Sequence, residues 1–415
     1  MQHGARPNSP LREKKIMNRH TAGWLGIAQS TLRSASPTAL LSTARTLLAD
    51  RMQARQVTLH LADYSLSVLQ PVTIPPHTAE AVAIRDGSAA GRAFTAEAPL
   101  VEVTDEPGMV AVHLPITVRG DRLGILSVHL PETAVKGAAG VLDLAAFATA
   151  LGHELLVADR ATDLYLRTRR RRRLTLAAEM QWQLLPGRGF RRDEFILGAH
   201  LEPAYAVGGD NFDWTVDDES LTLTVTDGQG HGIAAALLTN LTVNALRNAR
   251  RAGICLEDQA RLADQAVYGE HAGHRYAPTL LLRIDLATGQ AQAVDAGSPQ
   301  LFRLRHGAVE KVSLETQLPL GVFEETEYHA EQFSLRPGDR LVIVSSGVHA
   351  TRNPGRASFG ERALRETIAA ARSASTHETA RAVVDGLMQY HGGEDLPTDA
   401  AVVCLDWRGS SAASP

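Results

Sequence analysis

Residues Val207–Gly232 read VGGDNFDWTVDDESLTLTVTDGQGHG, and the rest of the chain is organised around them. Asp210 and Asp213 follow a Gly-Gly turn. A polar turn at Asp217–Ser220 leads into Leu221, Leu223 and Val225 with threonines between. That alternation is the period of a strand with one buried face. The strand ends on Asp227-Gly-Gln-Gly-His-Gly, and an Ala-rich helix follows. A carboxylate at a strand end beside flexible glycines suits a hard metal ion, because glycine also lets backbone carbonyls approach it.

A chain of 415 residues is longer than one typical domain, so two domains are expected. Hydrophobic residues make up 44% and charged residues 21%, an ordinary globular balance. The net charge of −4 carries no global signal for nucleic acid or membrane. Cys255 and Cys404 lie far apart in apolar surroundings and read as buried thiols rather than a disulfide. No apolar run approaches a membrane span, and no signal-type segment follows the basic N-terminus. The expectation is a cytoplasmic protein with neither membrane nor nucleic acid as partner.

Residues 1–18 and 409–415 read as disordered tails. Between Thr21 and Asp50 leucines recur at helical spacing, broken at Ser36-Pro37, where Ser36 is a candidate N-cap. Strands follow at Gln56–Leu61 and Ser65–Val72, then a short helix in Ser88–Pro99. Met109–Val118 and Leu123–Leu130 flank a hairpin turn, Arg119–Arg122. An apolar helix, Val141–Ala158, closes an α+β domain over 19–158. Gly87–Phe94, together with Leu114-Pro115-Ile116 and Gly120–Leu126, resembles the motifs of GAF domains. That resemblance implies a sensor of a small molecule or partner. His60 and His113 read as structural or exposed.

Asp159–Pro186 lacks glycine and has no proline before its end, so it reads as one connecting helix over 159–187. Its apolar positions, Leu164, Leu174, Ala178, Met180, Trp182 and Leu185, suggest a partly buried or homodimer-forming seam. Arg169–Arg173 reads as a solvated face rather than a nucleic-acid track.

The lead-in Leu176–Pro186 resembles the "LAxExQxxLLP" segment of the metal-dependent protein phosphatases (PPM family), SpoIIE-like branch. Further landmarks fall in order: Pro203-Ala204, Val207–Asp213, Asp227–Gly232, Pro319-Leu320-Gly321, Leu335–Leu341 and Phe359-Gly360. The resemblance implies an αββα sandwich of two antiparallel sheets flanked by helices, over 188–408. It implies two Mn²⁺ or Mg²⁺ ions, with Asp210, Asp227 and the Gly228 carbonyl as ligands. It also implies a phosphorylated Ser/Thr protein of the anti-sigma-factor-antagonist type as substrate.

Two expected ligands are missing. Ser346 stands where the family has the Asp of "TDG", and Thr398 where it has the first Asp of "DDxT". Asp399 is the alternative ligand if the register slips by one, which would turn its side chain to the other face. Asp213, Glu394 and Asp395 are further carboxylates in reach along the chain. His231 reads as structural within its turn, and Arg247, Arg250 and Arg251 as a solvated helix face. Two readings follow. One is a phosphatase of weakened activity, gated by the GAF-like domain. The other is a degenerate pseudophosphatase that binds a phosphoprotein without turnover. A metal-dependent hydrolase of another phosphate ester is a third.

Overall fold

The structure is a computed structural model, and it describes residues 23–73, 79–136, 138–202, 208–393, 396 and 398–410. Most of both expected tails lies outside these residues, as do Pro203-Ala204, Val207, Glu394 and Asp395. The chain forms two compact units that part between Arg171 and Arg172, inside the arginine run, with the short stretch Arg119–Asp121 counted with the second unit.

The first unit is built on one antiparallel sheet. Its strands are β1 (Gln56–Ala62), β2 (Val68–Pro71), β3 (Val82–Ala83), β4 (Leu100–Val103), β5 (Met109–Val118) and β6 (Asp121–Pro131), in the order β3-β2-β1-β6-β5-β4. The register pairs Val57 with Val128 and Leu59 with Leu126, which aligns the apolar face of both central strands. That face packs on helices α1 (residues 23–34), α2 (Leu40–Met52) and α4 (Ala138–Ala158) through Leu41, Leu48, Leu144, Phe147 and Leu151. The other face is filled by α3 (Ala89–Ala96), with Phe94 packed among Leu69, Ile84 and Ile125. The break at Ser36-Pro37 is a 3-10 turn with proline in its first turn, and Ser36 makes no side-chain cap bond there. One expectation fails on α4. Its segment Gly140–Ala158 is long and apolar enough to span a membrane by length and composition. Part of its apolar surface covers the sheet through Leu144, Phe147 and Leu151, while Leu142 and Val157 are exposed.

The continuous helix expected over 159–187 is broken. The structure shows α5 (Leu164–Thr168) and α6 (Leu176–Leu184), with non-helical chain between them. Tyr165 is buried and its hydroxyl donates to the Pro37 carbonyl at 2.6 Å, tying α5 down to the first unit. Thr175 then restarts the helix, its hydroxyl accepting from the Ala178 N–H at 3.1 Å. Arg169, in the chain between α5 and α6, lies 3.7 Å from Asp159. Leu174 and Ala178, expected on a partly buried or dimer-forming seam, are buried within the chain.

The second unit is a sandwich of two antiparallel sheets. One sheet contains β9 (Asn211–Val216), β10 (Ser220–Thr226), β11 (Thr279–Asp285), β12 (Gln290–Ala296) and β15 (Glu331–Ser334), ordered β15-β12-β11-β10-β9. The other contains β7 (Gly189–Arg191), β8 (Phe195–Glu202), β13 (Gln300–Arg305), β14 (Ala308–Lys311), β16 (Arg340–Val344) and β17 (Ala400–Trp407), ordered β14-β13-β16-β17-β8-β7. The expected period of two is visible in the packing. Leu221, Leu223 and Val225 of β10 face Ala401, Val403 and Leu405 of β17 within one inter-sheet core. The alternate residues Val402 and Cys404 turn outward against α10 (Ala363–Ala370) and α11 (Thr376–His391). On the first sheet's outer side, Leu281 and Val294 pack on α7 (Gly232–Arg251) and α8 (Leu256–His271) through Leu246, Leu256 and Ala260. Cys404 is buried as expected, but Cys255 is exposed, because it lies at the N-cap of α8 and not in the helix's apolar stripe.

Candidate metal centre

The β9–β10 register pairs Asn211 with Thr226, so the next residues outward, Asp210 and Asp227, come side by side at one end of the first sheet. Both are buried, at 5% exposure each. At the same end of the second sheet, β16 pairs with β17 at Val344 and Val402. The chain then turns into α9 (Ser346–His349). Ser345 is fully buried and locked to Ala401 by a pair of hydrogen bonds of 3.0 and 2.9 Å. The site lies where these two sheet ends meet.

Two glycines permit that approach. A Cβ on Gly228 would overlap the backbone of Gly209, which itself has φ +124°. A Cβ on Gly347 would overlap the Asp399 carbonyl oxygen and come within 2.9 Å of Thr398 Oγ1. The fold thus brings Thr398 beside Gly347, one residue from Ser346, so the two positions lacking carboxylates are neighbours. Gly347→Ala is expected to force α9 off Asp399 and to cost about 3 kcal/mol or more by overpacking. Chemical denaturation of the full chain checks this, and a loss below about 1 kcal/mol would mean the turn relaxes freely.

Each carboxylate has different partners. Asp227 accepts from the Ser346 N–H at 3.2 and 3.1 Å and from the Ser298 hydroxyl. Asp399 accepts from the N–H groups of Gly208 at 2.5 Å, Gly209 at 2.7 Å and Asp210 at 3.2 Å, and from Gln181 Nε2 at 3.3 Å. Asp210 Oδ2 is buried and has no hydrogen-bond partner. Burial pushes all three carboxyls up, Asp227 to about 6. The neighbouring Asp227 and Asp399 charges push Asp210 further, well above the ordinary range. Buried acids raised together around an unpaired oxygen mark a site short of positive charge.

The donors fit one hard divalent ion: Asp210, Asp227 and the Gly228 carbonyl are oxygen ligands of the right kind. The two further carboxylates that the family resemblance leads one to expect are absent. Ser346 and Thr398 contribute no carboxylate, and the Asp399 carboxylate accepts the backbone amides of Gly208, Gly209 and Asp210. Among the described residues no group of three or more His, Cys, Asp and Glu side chains is gathered as a metal cluster.

Asp213 is not recruited either. Its carboxylate, 3% exposed, pairs with Arg247 at 2.7 Å and Arg250 at 3.0 Å. Arg247 also donates to the Leu184 carbonyl at 2.6 Å. These arginines are therefore not a solvated face; they neutralise a buried acid between α7 and the sheet. His231 precedes α7 as an exposed N-cap residue without a side-chain cap bond. Reading residues singly missed Gln181 and Ser298. Gln181 lies inside the LAxExQxxLLP lead-in and Ser298 follows the end of β12, and only their spatial neighbours give them roles.

Residues 217–408 match the family model described as Stage II sporulation protein E (SpoIIE). The second unit is accordingly similar to the SpoIIE/PP2C-type phosphatase domains, a likeness that does not extend over the whole chain. Among relatives, phosphoserine phosphatase RsbU of Bacillus subtilis is 24% identical over 52% of this chain and 64% of its own. Protein IcfG of Synechocystis is 24% identical over 44% of this chain and 33% of its own. The chain thus spans between 33% and 64% of the length of these two relatives. The solved SiaA-PP2C domain of Pseudomonas aeruginosa covers 56% of this chain and 94% of its own, with 20% identity and TM-score 0.47.

Proposed function

We propose that this chain is a signalling protein-serine/threonine phosphatase of the metal-dependent type with weakened hydrolysis. Its substrate would be a regulatory phosphoprotein of the anti-sigma-factor-antagonist class, and its first unit a GAF-like sensor of a small molecule or partner. One observation carries the reading: Asp210 and Asp227 side by side across a strand end, with Asp210 Oδ2 left open. The match to RsbU, a phosphoserine phosphatase, supports a phosphoserine substrate. A bound Mn²⁺ or Mg²⁺ supplies Lewis acidity toward a phosphoryl oxygen and a hydrolytic water. Asp210, Asp227 and the Gly228 carbonyl would hold it. The Ser346 amide and Ser298 hydroxyl orient the Asp227 carboxylate.

A second reading, phosphoprotein binding without turnover, is favoured by the absence of carboxylates at Ser346 and Thr398. Mn²⁺-dependent hydrolysis of p-nitrophenyl phosphate and of a phosphoserine protein separates the two. Slow turnover is expected in the wild type, and none above background in Asp227→Ala. If the two proteins are indistinguishable, the second reading takes the place of the first.

A further inference from the structure

Two separate segments supply the donors that hold the Asp227 carboxylate. The Ser346 N–H lies at the start of α9, after β16 of the second sheet. The Ser298 hydroxyl lies in the turn that leaves β12 of the first sheet for β13 of the second. The β13–β16 ladder ends at Gln300 and Val344, and His349 carries the connection past that end. One turn along α9 from Ser346, its Nε2 is 2.9 Å from the Ser298 carbonyl oxygen. A carbonyl only accepts, so Nε2 carries the hydrogen and the imidazole donates. Burial pushes the pKa of this imidazole down, which favours the neutral form. The backbone on both sides of the bond is closely packed. A Cβ on Gly360 would lie 2.7 Å from both the Cβ and the carbonyl oxygen of His349, and the Gly360 N–H donates to that oxygen at 2.9 Å. Gly297, next to Ser298, has φ +130°, and a Cβ there would come within 2.7 Å of Pro278. The bonds close a circuit, from Asp227 to Ser298, across to His349, and back along α9 to Ser346 and Asp227.

We propose that His349 is a positioning residue: by tying the Ser298 turn to α9, it fixes the spacing of the two segments whose donors aim the Asp227 carboxylate at a divalent cation. A neutral imidazole suits the task. It offers one directed N–H on a short, stiff side chain and brings no charge to compete with a cation for Asp227. The cation half of the inference rests on the metal-dependent reading above; the tie itself rests on the hydrogen bonds alone.

Amide hydrogen exchange on the metal-free full chain tests the tie. The Ser346 amide is expected to exchange about tenfold faster in His349→Leu and in His349→Asn, whose side-chain amide is too short to reach the Ser298 carbonyl. His349→Gln, whose amide nitrogen can take the place of Nε2, should return the wild-type rate, a rescue that packing alone would not give. The β10–β11 ladder should keep its protection throughout. Unchanged exchange at Ser346 in His349→Leu and His349→Asn overturns the proposal, as does failure of His349→Gln to restore the rate. Loosening of the ladder in both variants also overturns it, since His349 would then be a packing residue. If His349→Leu does not fold, His349→Asn against His349→Gln decides.

Mn²⁺ titration followed by electron paramagnetic resonance reads the cation half. The dissociation constant should rise about tenfold in His349→Leu. Ser298→Ala should raise it at least as much, and adding His349→Leu to Ser298→Ala should raise it no further, because His349 acts through the Ser298 hydroxyl. Additive rises, or equal Mn²⁺ affinity with a loosened Ser346 amide, refute the positioning of Asp227. A wild type that takes up no Mn²⁺ refutes this half together with the metal-dependent reading, while the exchange result still decides the tie.

Discussion

Replacing Ser346 and Thr398 together by aspartate is expected to raise Mn²⁺-dependent hydrolysis of p-nitrophenyl phosphate by about a hundredfold over the wild type. The two positions are neighbours in the fold, since Thr398 Oγ1 lies within 2.9 Å of where a Gly347 Cβ would sit. Ser346 already faces Asp227, to which its backbone N–H donates at 3.2 and 3.1 Å. Two carboxylates there would complete an acidic set around Asp227 that now lacks them. Without a cation those charges repel in a buried site, so the double variant should melt lower than the wild type in chelator. With Mn²⁺ present the order should reverse, because a ligand that binds only the folded state stabilises it by mass action. Native mass spectrometry gives an independent reading, with one ion expected in the wild type and two in the variant. Unchanged turnover and unchanged stoichiometry would show that the missing carboxylates are not what limits the site.

The second large effect concerns stability. Asp213→Ala leaves the guanidinium groups of Arg247 and Arg250 without their counter-charge, at side-chain exposures of 19% and 15%. Removing one member of a buried ion pair costs about 3–5 kcal/mol, because the other charge stays desolvated. The midpoint of urea unfolding should fall accordingly with an unchanged slope. Arg250→Ala in the Asp213→Ala background should recover part of the loss, since the two sites are in contact and their effects do not add. A loss below about 1 kcal/mol for Asp213→Ala would mean that water reaches these arginines and that the pair contributes little.

The sandwich was legible because its strands announce their faces. The period of two at Leu221, Leu223 and Val225 is a local property, set by which side chains a strand must bury. The same holds for the hairpin around Arg119–Arg122, whose flanking strands are β5 and β6. The connecting helix was misread for the opposite reason. Helix propensity over 159–187 is favourable residue by residue, but the Tyr165 anchor to Pro37 is a contact between segments 128 residues apart. No local pattern reports such a contact.

Within the candidate site, sequence alone determined that Asp210 and Asp227 end adjoining strands beside glycines and that Ser346 and Thr398 lack the carboxylates the family resemblance leads one to expect. The tertiary structure decided what the remaining acids do. Asp213 is neutralised by two arginines one helix away, and Asp399 holds backbone amides, leaving Asp210 Oδ2 open. The physical reason is that a carboxylate's role depends on which donors reach it. Those donors come from α6, α7 and the far sheet, which are separated along the chain and adjacent only once both sheets have closed on their common core.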